Sequence, residues 1–271
     1  ARFEVEKKDE EFSSTSHAYA RTWSGPRVRP GTWHHLLFSL YAVAPADGQV
    51  PPEHTSPAPQ QLTEDQRFEA LVGEFMPAFW KQNPGYAIYT GVYDHAAELE
   101  AYDATARAKE AAFYADWLKR LDGFDPKLMT AGNRTDLELI RGALKSGQWY
   151  LDVFKSWQWQ PTSYNVAGPF EVLLNTEYAP LEQRLRAISQ RMASVPAYFA
   201  AAKANVATPS LEHTDLAITQ NKGALATFGD ALVAKAKGSG LTDPEKAEFE
   251  RRTVAAREAI ADYVRFLEGL R

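Results

Sequence analysis

The two histidines in the helical part of the sequence are the first candidates for chemistry, because histidine serves as a general base and as a metal ligand. His213 lies two residues before Asp215, which is a weak pattern for a pair of ligands. His95 follows Asp94, and adjacent residues do not face each other on a helix. We therefore expect His213 on a polar loop or at a helix start, and Asp94 as a helix cap.

Sequence patterns of common catalytic sites are missing. The helical part contains no His-Glu-x-x-His, Glu-x-x-His or Gly-x-x-x-x-Gly-Lys motif. The absence of cysteine excludes disulfides, thiolate zinc sites and cysteine nucleophiles. Gly238-Ser239-Gly240 follows no predicted strand and indicates a flexible linker rather than a nucleophile elbow. We predict no catalytic residue, no metal ligand and no cofactor in this chain.

Large aromatic residues concentrate in one short stretch, which contains Trp149, Tyr150, Trp157, Trp159 and Tyr164. Such a belt can line a cleft for a peptide or a sugar, since aromatic rings offer a large contact area with polar tips. It can equally form a wide core where two helices and a loop meet, and we favour this core. The exceptions are Trp159, Tyr164 and Asn165, which we expect to be exposed because a loop cannot bury everything. These three are the candidate substrate-binding residues.

Composition restricts the class of protein. Hydrophobic residues make up 45% and aromatic residues 12% of the 271 residues, which is enough for a large core. The net charge of −5 offers no electrostatic footprint for a nucleic-acid partner. No apolar run approaches the ~20 residues that a membrane-spanning helix needs.

Residues 1–61 differ from the remainder of the sequence, since they hold seven of the 16 prolines and no sustained apolar period. We interpret them as a poorly ordered leader or linker. Within this leader, residues 33–46 have the layout of a signal peptide, with a short apolar run that ends in Ala42-x-Ala44. The alternatives are an irregular apolar segment or an upstream stretch translated in error. Because the first methionine is Met76, we expect the true start elsewhere.

From residue 62 onward the periodicity is helical. Thr63 with Gln66, and Thr242 with Glu245, form capping boxes that start helices. No segment alternates with the period of two that a strand requires. The sequence therefore predicts an all-α fold, an irregular bundle of about seven to nine helices in one domain from residue 62 to residue 271.

The segment 180–209 carries the most regular apolar stripe. Pro196 interrupts it, and we place this proline in the first turn of a second helix, where no hydrogen bond is lost. The arginines of the segment lie away from the apolar stripe, so we expect Arg184, Arg186 and Arg191 on a solvated face. The next segment, 211–236, forms one helix or two helices broken near Gly223.

Several motifs resemble a bacterial family called domain of unknown function 885. The first runs from Asn83 to Ala87, with Gly91 and Tyr93-Asp94 after it. The second begins at Arg184-Leu185 and continues from Arg191 to Phe199, with Trp159-Gln160-Pro161 between the two motifs. The resemblance covers residues 66–270, and the order of the motifs is more specific than any one of them.

The resemblance implies a helical protein similar to zinc metallopeptidases and often exported. The metal motif of that family, His-Glu-x-x-Pro-Gly-His-His, is absent from this sequence, so no ligand or catalytic residue is carried over. It implies the amino-terminal portion of a longer protein, with zinc bound only in the complete form. Its partners would be the carboxyl-terminal half and a peptide substrate, and its location periplasmic or secreted, or otherwise cytoplasmic.

Two functional hypotheses follow. The first is an amino-terminal helical portion of a metal-dependent peptidase-like hydrolase, which is inactive by itself because the metal ligands and the base are missing. The alternative is a self-sufficient helical binding module that uses the aromatic belt near residues 157–165 as its recognition surface.

Overall fold

The computed structural model describes residues 61–271, and these residues form α-helices without a strand. Nine of the helices have eight or more residues, so the prediction of an all-α bundle of about seven to nine helices is confirmed. Residues 1–60, with the predicted signal segment at 33–46, lie outside the described residues. The α-helices are α1 (Glu64–Gln82), α2 (Pro84–Tyr89), α3 (Ala104–Leu121), α4 (Ala131–Trp149), α5 (Ser156–Trp159), α6 (Ala167–Asn175), α7 (Leu181–Met192), α8 (Val195–Asn205), α9 (Leu211–Thr227), α10 (Asp230–Lys237) and α11 (Asp243–Leu270).

The predicted caps are present. At α1 the Thr63 N–H donates to Gln66 Oε1 at 2.9 Å, and the Gln66 N–H donates back to Thr63 Oγ1 at 3.2 Å. At α11 the Thr242 N–H donates to the carboxylate of Glu245 at 2.8 Å. Each cap satisfies backbone groups that the first helical turn leaves without a partner, so these two helix starts are specified locally.

Two hydrophobic cores hold the helices together. The smaller core lies among α1, α3 and α4 and includes Phe68, Trp117 and Leu137. The larger core is built around α11, which packs on α7, α8, α9 and α10. Searching the described helices for one both long and apolar enough to cross a membrane gives no candidate.

The segment 180–209 forms α7 and α8, as predicted, and Pro196 lies in the first turn of α8. Leu185, Ile188 and Met192 on the stripe are completely buried in the larger core. The segment that follows 210 does form two helices, but the break lies at Gly229, and Gly223 lies within α9.

The helix α4 has an irregular carboxyl end. Regular α-helix stops at Trp149, and a single π-helical turn follows over Tyr150–Phe154. Lys155 then takes a left-handed conformation, with φ of 49°. A left-handed residue cannot continue a right-handed helix, so the chain direction changes at this position.

Candidate functional site

Two of the three arginines on α7 are buried, and our expectation of a solvated face is wrong for both. Arg184 is 8% exposed and Arg191 is fully buried. Arg184 donates to the carbonyl oxygens of Leu174 and Thr176 at 3.0 and 3.1 Å, near the end of α6. These carbonyls have no helical partner of their own, so the buried charge lies where the helix end attracts it. Arg186 alone lies on the expected exposed face.

Arg191 lies at the centre of the candidate site. Its Nη1 donates to the carbonyl oxygen of Glu98, and its Nη2 donates to Glu100 Oε2 at 3.2 Å. The guanidinium also lies over the ring of Phe170, 5.7 Å from its centroid. Its Nε is buried and has no hydrogen-bond partner among residues 61–271. Burial lowers the pKa of Arg191 while the Glu100 carboxylate opposes this shift, and the group stays a cation at neutral pH.

Glu100 is held from its other side by the backbone of α2. The Gly85 N–H donates to Glu100 Oε1, while Oε2 accepts from Arg191. A Cβ atom on residue 85 would overlap the Glu100 carboxylate, so any larger residue there requires this carboxylate to move. The carboxylate therefore has one orientation, with 20% of its side chain exposed.

A cleft of about 310 Å³ opens beside this pair. Four tyrosines line it, together with Glu100, Asn165 and Arg191. A second cleft of about 400 Å³ shares Asn83, Leu99, Glu100 and Tyr102 with the first. Both volumes are typical of clefts that bind small ligands. The tyrosines of the first cleft are Tyr86, Tyr89, Tyr102 and Tyr198.

The segment between the two clefts has main-chain N–H groups without a hydrogen-bond partner among residues 61–271. We find no hydrogen bond from the N–H groups of Leu99, Glu100 and Ala101 to any residue of the described part. Buried backbone groups are almost always paired, whereas groups at an open cleft can receive a ligand. The segment is therefore able to donate hydrogen bonds to an extended main chain laid along it.

Two tyrosines of the cleft, Tyr102 and Tyr198, are held in the protonated form. Burial raises the pKa of Tyr198 well above its usual value, and the neighbouring phenol of Tyr102 and the Glu100 carboxylate raise it further. The pKa of Tyr102 is raised by the same causes, burial first and Glu100 second. Both phenols are consequently protonated at neutral pH.

The three candidate substrate-binding residues occupy different environments. Asn165 lines the cleft, and its Oδ1 accepts from the Ala167 N–H at 2.9 Å at the start of α6. Trp159 is partly exposed, outside this cleft, and its ring lies 5.4 Å from that of His213. Their role in substrate binding stays a prediction.

Tyr164 is 1% exposed, so our expectation of an exposed Tyr164 is wrong. Its hydroxyl donates to the carbonyl oxygen of Trp157 at 2.8 Å and accepts from Asn205 Nδ2 at 3.2 Å. The short helical turn Pro161–Ser163 folds the loop inward, and the two hydrogen bonds satisfy the hydroxyl inside the core.

Neither histidine lines the two clefts, although His95 Nδ1 lies 2.9 Å from Oε1 of Glu98, which does line the second cleft. His213 is in the first turn of α9, as expected, and its Nδ1 is 2.9 Å from Ser210 Oγ. Asp94 lies in the turn after α2 and caps no described helix, so that expectation is wrong. The described residues bring no three histidine or acidic side chains together as a metal site.

Sequence reasoning from spacing did not find Glu100, because a single glutamate in an irregular segment carries no pattern. Gly85, Arg191 and Tyr198 belong to the two separate motifs that the resemblance quoted. The structure brings all three to one cleft. The order of those motifs along the chain was therefore the sequence feature from which these cleft residues could have been identified.

Fold and cleft together define an all-helical protein with a cleft built on a buried arginine and its partly buried glutamate partner. The chain belongs to the family described as bacterial protein of unknown function (DUF885), which matches residues 84–271. A solved structure from Shewanella oneidensis, of a candidate lipoprotein of unknown function, is 38% identical with a TM-score of 0.72. The match covers 78% of this chain and 38% of that chain, so this chain spans well under half of the relative's length. No curated protein matches the sequence.

Proposed function

We propose that this chain is the amino-terminal helical portion of a longer protein whose complete form is a metal-dependent, peptidase-like hydrolase. The observation that carries the proposal is the cleft at Glu100 and Arg191, beside which the N–H groups from Leu99 to Ala101 have no hydrogen-bond partner within the described part of the chain. The length of the solved relative supports the view that further sequence belongs to the complete protein.

In this proposal the chain forms a wall of the substrate cleft and supplies no metal ligand. The residues from 61 to 271 do not fit a zinc site, since no group of three suitable side chains exists among them. The zinc that the family resemblance implies would be held by residues outside this sequence. The chain by itself would then be inactive, because a metal-activated water needs both ligands and a base.

A peptide would bind the cleft mainly through its backbone. The N–H groups of Leu99 and Ala101 would donate to peptide carbonyls, as in the addition of a strand to a free edge. The protonated phenols of Tyr89 and Tyr102 offer further donors, and the Glu100 carboxylate accepts from peptide N–H groups. Specificity for side chains would then come from the surfaces on either side of this segment.

The location and the partners belong to the same proposal. We infer a periplasmic or secreted protein, since the solved relative is described as a candidate lipoprotein. The partners would be the carboxyl-terminal half of the same protein and a peptide substrate. The net charge of −5 disfavours nucleic acid.

The test begins with the coding sequence downstream of Arg271. The complete protein and the 271-residue chain are purified and assayed on a library of short peptides, with and without a chelator. We expect hydrolysis by the complete protein only, its loss on chelation, and a raised KM for Ala101→Pro, which removes one main-chain donor. Thr105→Pro, in the first turn of α3, is the control for a proline at a nearby position. An intact genome in which the frame stops at Arg271 overturns the proposal.

The self-sufficient binding module, with the aromatic belt near residues 157–165 as its recognition surface, is the second candidate, and the partly exposed Trp159 favours it. It predicts a monodisperse 271-residue chain that binds a peptide or a sugar without metal. Titration of the chelator-treated chain with both ligand classes, followed by tryptophan fluorescence, separates it from the first candidate.

A further inference from the structure

In the tyrosine-lined cleft, the charge that a ligand can reach is negative. The side chain of Arg191 has no exposed surface, whereas 20% of the Glu100 side chain is exposed. A ligand that enters the cleft therefore contacts the carboxylate of this ion pair and not its cation. Among residues 61–271, those that line this cleft include no second carboxylate, no lysine and no arginine besides Arg191.

The Glu100 carboxylate can still accept hydrogen bonds from a ligand. Its Oε1 accepts from the Gly85 N–H, and its Oε2 accepts from Arg191 Nη2. A carboxylate oxygen has two lone pairs, so each oxygen can accept a second hydrogen bond. The two existing bonds fix the orientation of the carboxylate, and the remaining acceptor positions consequently have fixed directions.

Two phenol oxygens add acceptors beside this carboxylate. Tyr89 and Tyr102 line the same cleft. Burial is the largest cause that raises the pKa of each phenol, and the Glu100 carboxylate raises both further, so both rings lie within its field. A protonated phenol accepts a hydrogen bond through its oxygen, and the face of a tyrosine ring attracts cations.

The wider charge balance also favours a cation. The pKa of the Tyr89 phenol is raised by burial and next by Glu171, and Glu110 contributes to the raised pKa of Tyr102 after burial and Glu100. In the second cleft, two lysines lie among four carboxylates: the lysines are Lys81 and Lys109, and the carboxylates are those of Glu98, Glu100, Asp103 and Glu110. These carboxylates offset the positive charge of the buried Arg191.

We propose that the tyrosine-lined cleft binds the primary ammonium group of a ligand, with Glu100 as its counter-ion. An ammonium group has three N–H donors and no acceptor, which matches one carboxylate oxygen and two phenol oxygens. Hydrogen bonds between charged groups are also stronger than neutral ones. The inference rests on the proposed function where it takes the ligand to be a peptide, which carries this group at its amino terminus or on a lysine.

Peptide binding to the chelator-treated 271-residue chain tests the inference without any hydrolysis. The probes are trialanine amide, its N-acetylated form, and an N-acetylated Ala-Lys-Ala amide. Proton–nitrogen correlation NMR spectra follow the amide signal of Gly85, whose N–H donates to Glu100. We expect acetylation of trialanine amide to weaken binding by about tenfold or more, because a charged hydrogen-bonding group is lost.

The lysine peptide identifies the source of the ammonium group. Binding of this peptide as tightly as trialanine amide assigns the site to ammonium groups in general, and weaker binding assigns it to the amino terminus. Equal binding of trialanine amide and its acetylated form overturns the inference, and so does the absence of binding by both ammonium peptides.

A matched pair of variants gives the second measurement. Glu100→Gln keeps the size of the side chain and removes its charge, and it should weaken binding of trialanine amide by about tenfold. Glu138→Gln removes the same charge on α4, outside both clefts and at a side chain that is 65% exposed, and should leave binding unchanged. Tyr102→Phe keeps both charges of the ion pair and should weaken binding by about threefold. Unchanged binding by Glu100→Gln, or by Tyr102→Phe where Glu100→Gln does not fold, overturns the inference.

The inference and the proposed function fail on different results. Binding of ammonium peptides by the 271-residue chain, without hydrolysis by the complete protein, contradicts only the proposed function. Hydrolysis by the complete protein with the same KM for free and acetylated peptides contradicts only the ammonium site.

Discussion

The guanidinium of Arg191 is buried among helices, with the Glu100 carboxylate at 3.2 Å as its ion-pair partner. Taking such a pair out of water has a large desolvation cost, and the remaining hydrogen bonds to Glu98 and Gly85 offset part of it. A buried pair of this kind is weak evidence for added stability, but its geometry is strongly defined. A binding cleft requires such a fixed geometry of a carboxylate that contacts a ligand.

Removing the arginine should leave Glu100 partly buried without its cation. We expect Arg191→Met to lower the free energy of unfolding by about 3 to 5 kcal/mol. Arg186→Met is the control, because the Arg186–Glu245 pair is exposed to solvent and should contribute far less to stability. Urea unfolding followed by circular dichroism measures both variants. Equal losses would show that Arg191 acts only as an exposed arginine does.

Gly85 offers a test that leaves both charged groups in place. Gly85→Ala puts a methyl group into the Glu100 carboxylate, and the displacement should cost about 1 to 3 kcal/mol. Gly73→Ala on α1 is the matched change, since a Cβ there meets nothing within 4 Å. This control should stabilise the protein by about 0.5 to 1 kcal/mol through helix propensity. Thermal unfolding of the two variants should shift in opposite directions.

At the scale of the elements, the junction between α4 and α5 is the feature that regular patterns did not predict. The left-handed Lys155 ends the π-helical turn and directs the chain into α5. A residue with a Cβ atom in this conformation costs about 1 to 2 kcal/mol relative to glycine. The junction is therefore a site of stored backbone strain.

Replacing Lys155 by glycine should relieve this strain. We expect Lys155→Gly to raise the free energy of unfolding by about 0.5 to 1 kcal/mol, and Lys155→Val to lower it. The measurement is the urea midpoint of each variant against the parent protein. If Lys155→Gly lowers the free energy of unfolding, the left-handed conformation of Lys155 is not a source of strain at this junction.

At the scale of the molecule, buried phenols tie the loop 157–165 to the larger core. Tyr263 is fully buried, and its hydroxyl donates to the carbonyl oxygen of Pro161 at 3.2 Å. Burial raises the pKa of Tyr263, and the same cause raises the pKa of Tyr164. The folded state therefore holds these protons more tightly than the unfolded chain does.

The difference in phenol pKa between the folded and the unfolded state lowers the stability of the fold at alkaline pH. A phenol whose pKa is raised on folding contributes fully below the unfolded pKa of about 10, and the contribution is lost as the pH rises toward the folded value. We expect the free energy of unfolding to fall above pH 10 by up to about 1.4 kcal/mol per pH unit for each such phenol. Urea midpoints between pH 8 and pH 11 should show this decline.

Tyr263→Phe removes one of the titrating groups and one hydrogen bond. It should lower stability at pH 8 yet make the decline above pH 10 shallower. Tyr86→Phe, at an exposed position, is the control and should leave the slope unchanged. Parallel slopes for the parent protein and Tyr263→Phe would exclude Tyr263 as a source of the alkaline dependence.

The helices are specified in the sequence by interactions between residues that are close along the chain. The capping boxes at Thr63 and Thr242, the position of Pro196 and the apolar stripe of α7 all act within a few residues. For this reason the all-α class, the helix starts and the buried stripe could be predicted without the fold. The family resemblance likewise depends on the linear order of motifs.

Only the tertiary structure decided which polar residues meet. Arg191 and Glu100 are separated by 91 residues, and the side-chain pattern of α7 alone favours a solvated arginine. Burial depends on what packs against the outer face of α7, and periodicity contains no information about that neighbour. The burial of Tyr164 was not predicted for the same reason. Its hydroxyl forms hydrogen bonds with Trp157 and Asn205 only when the loop is folded inward. Distant contacts, and not local spacing, place the cleft.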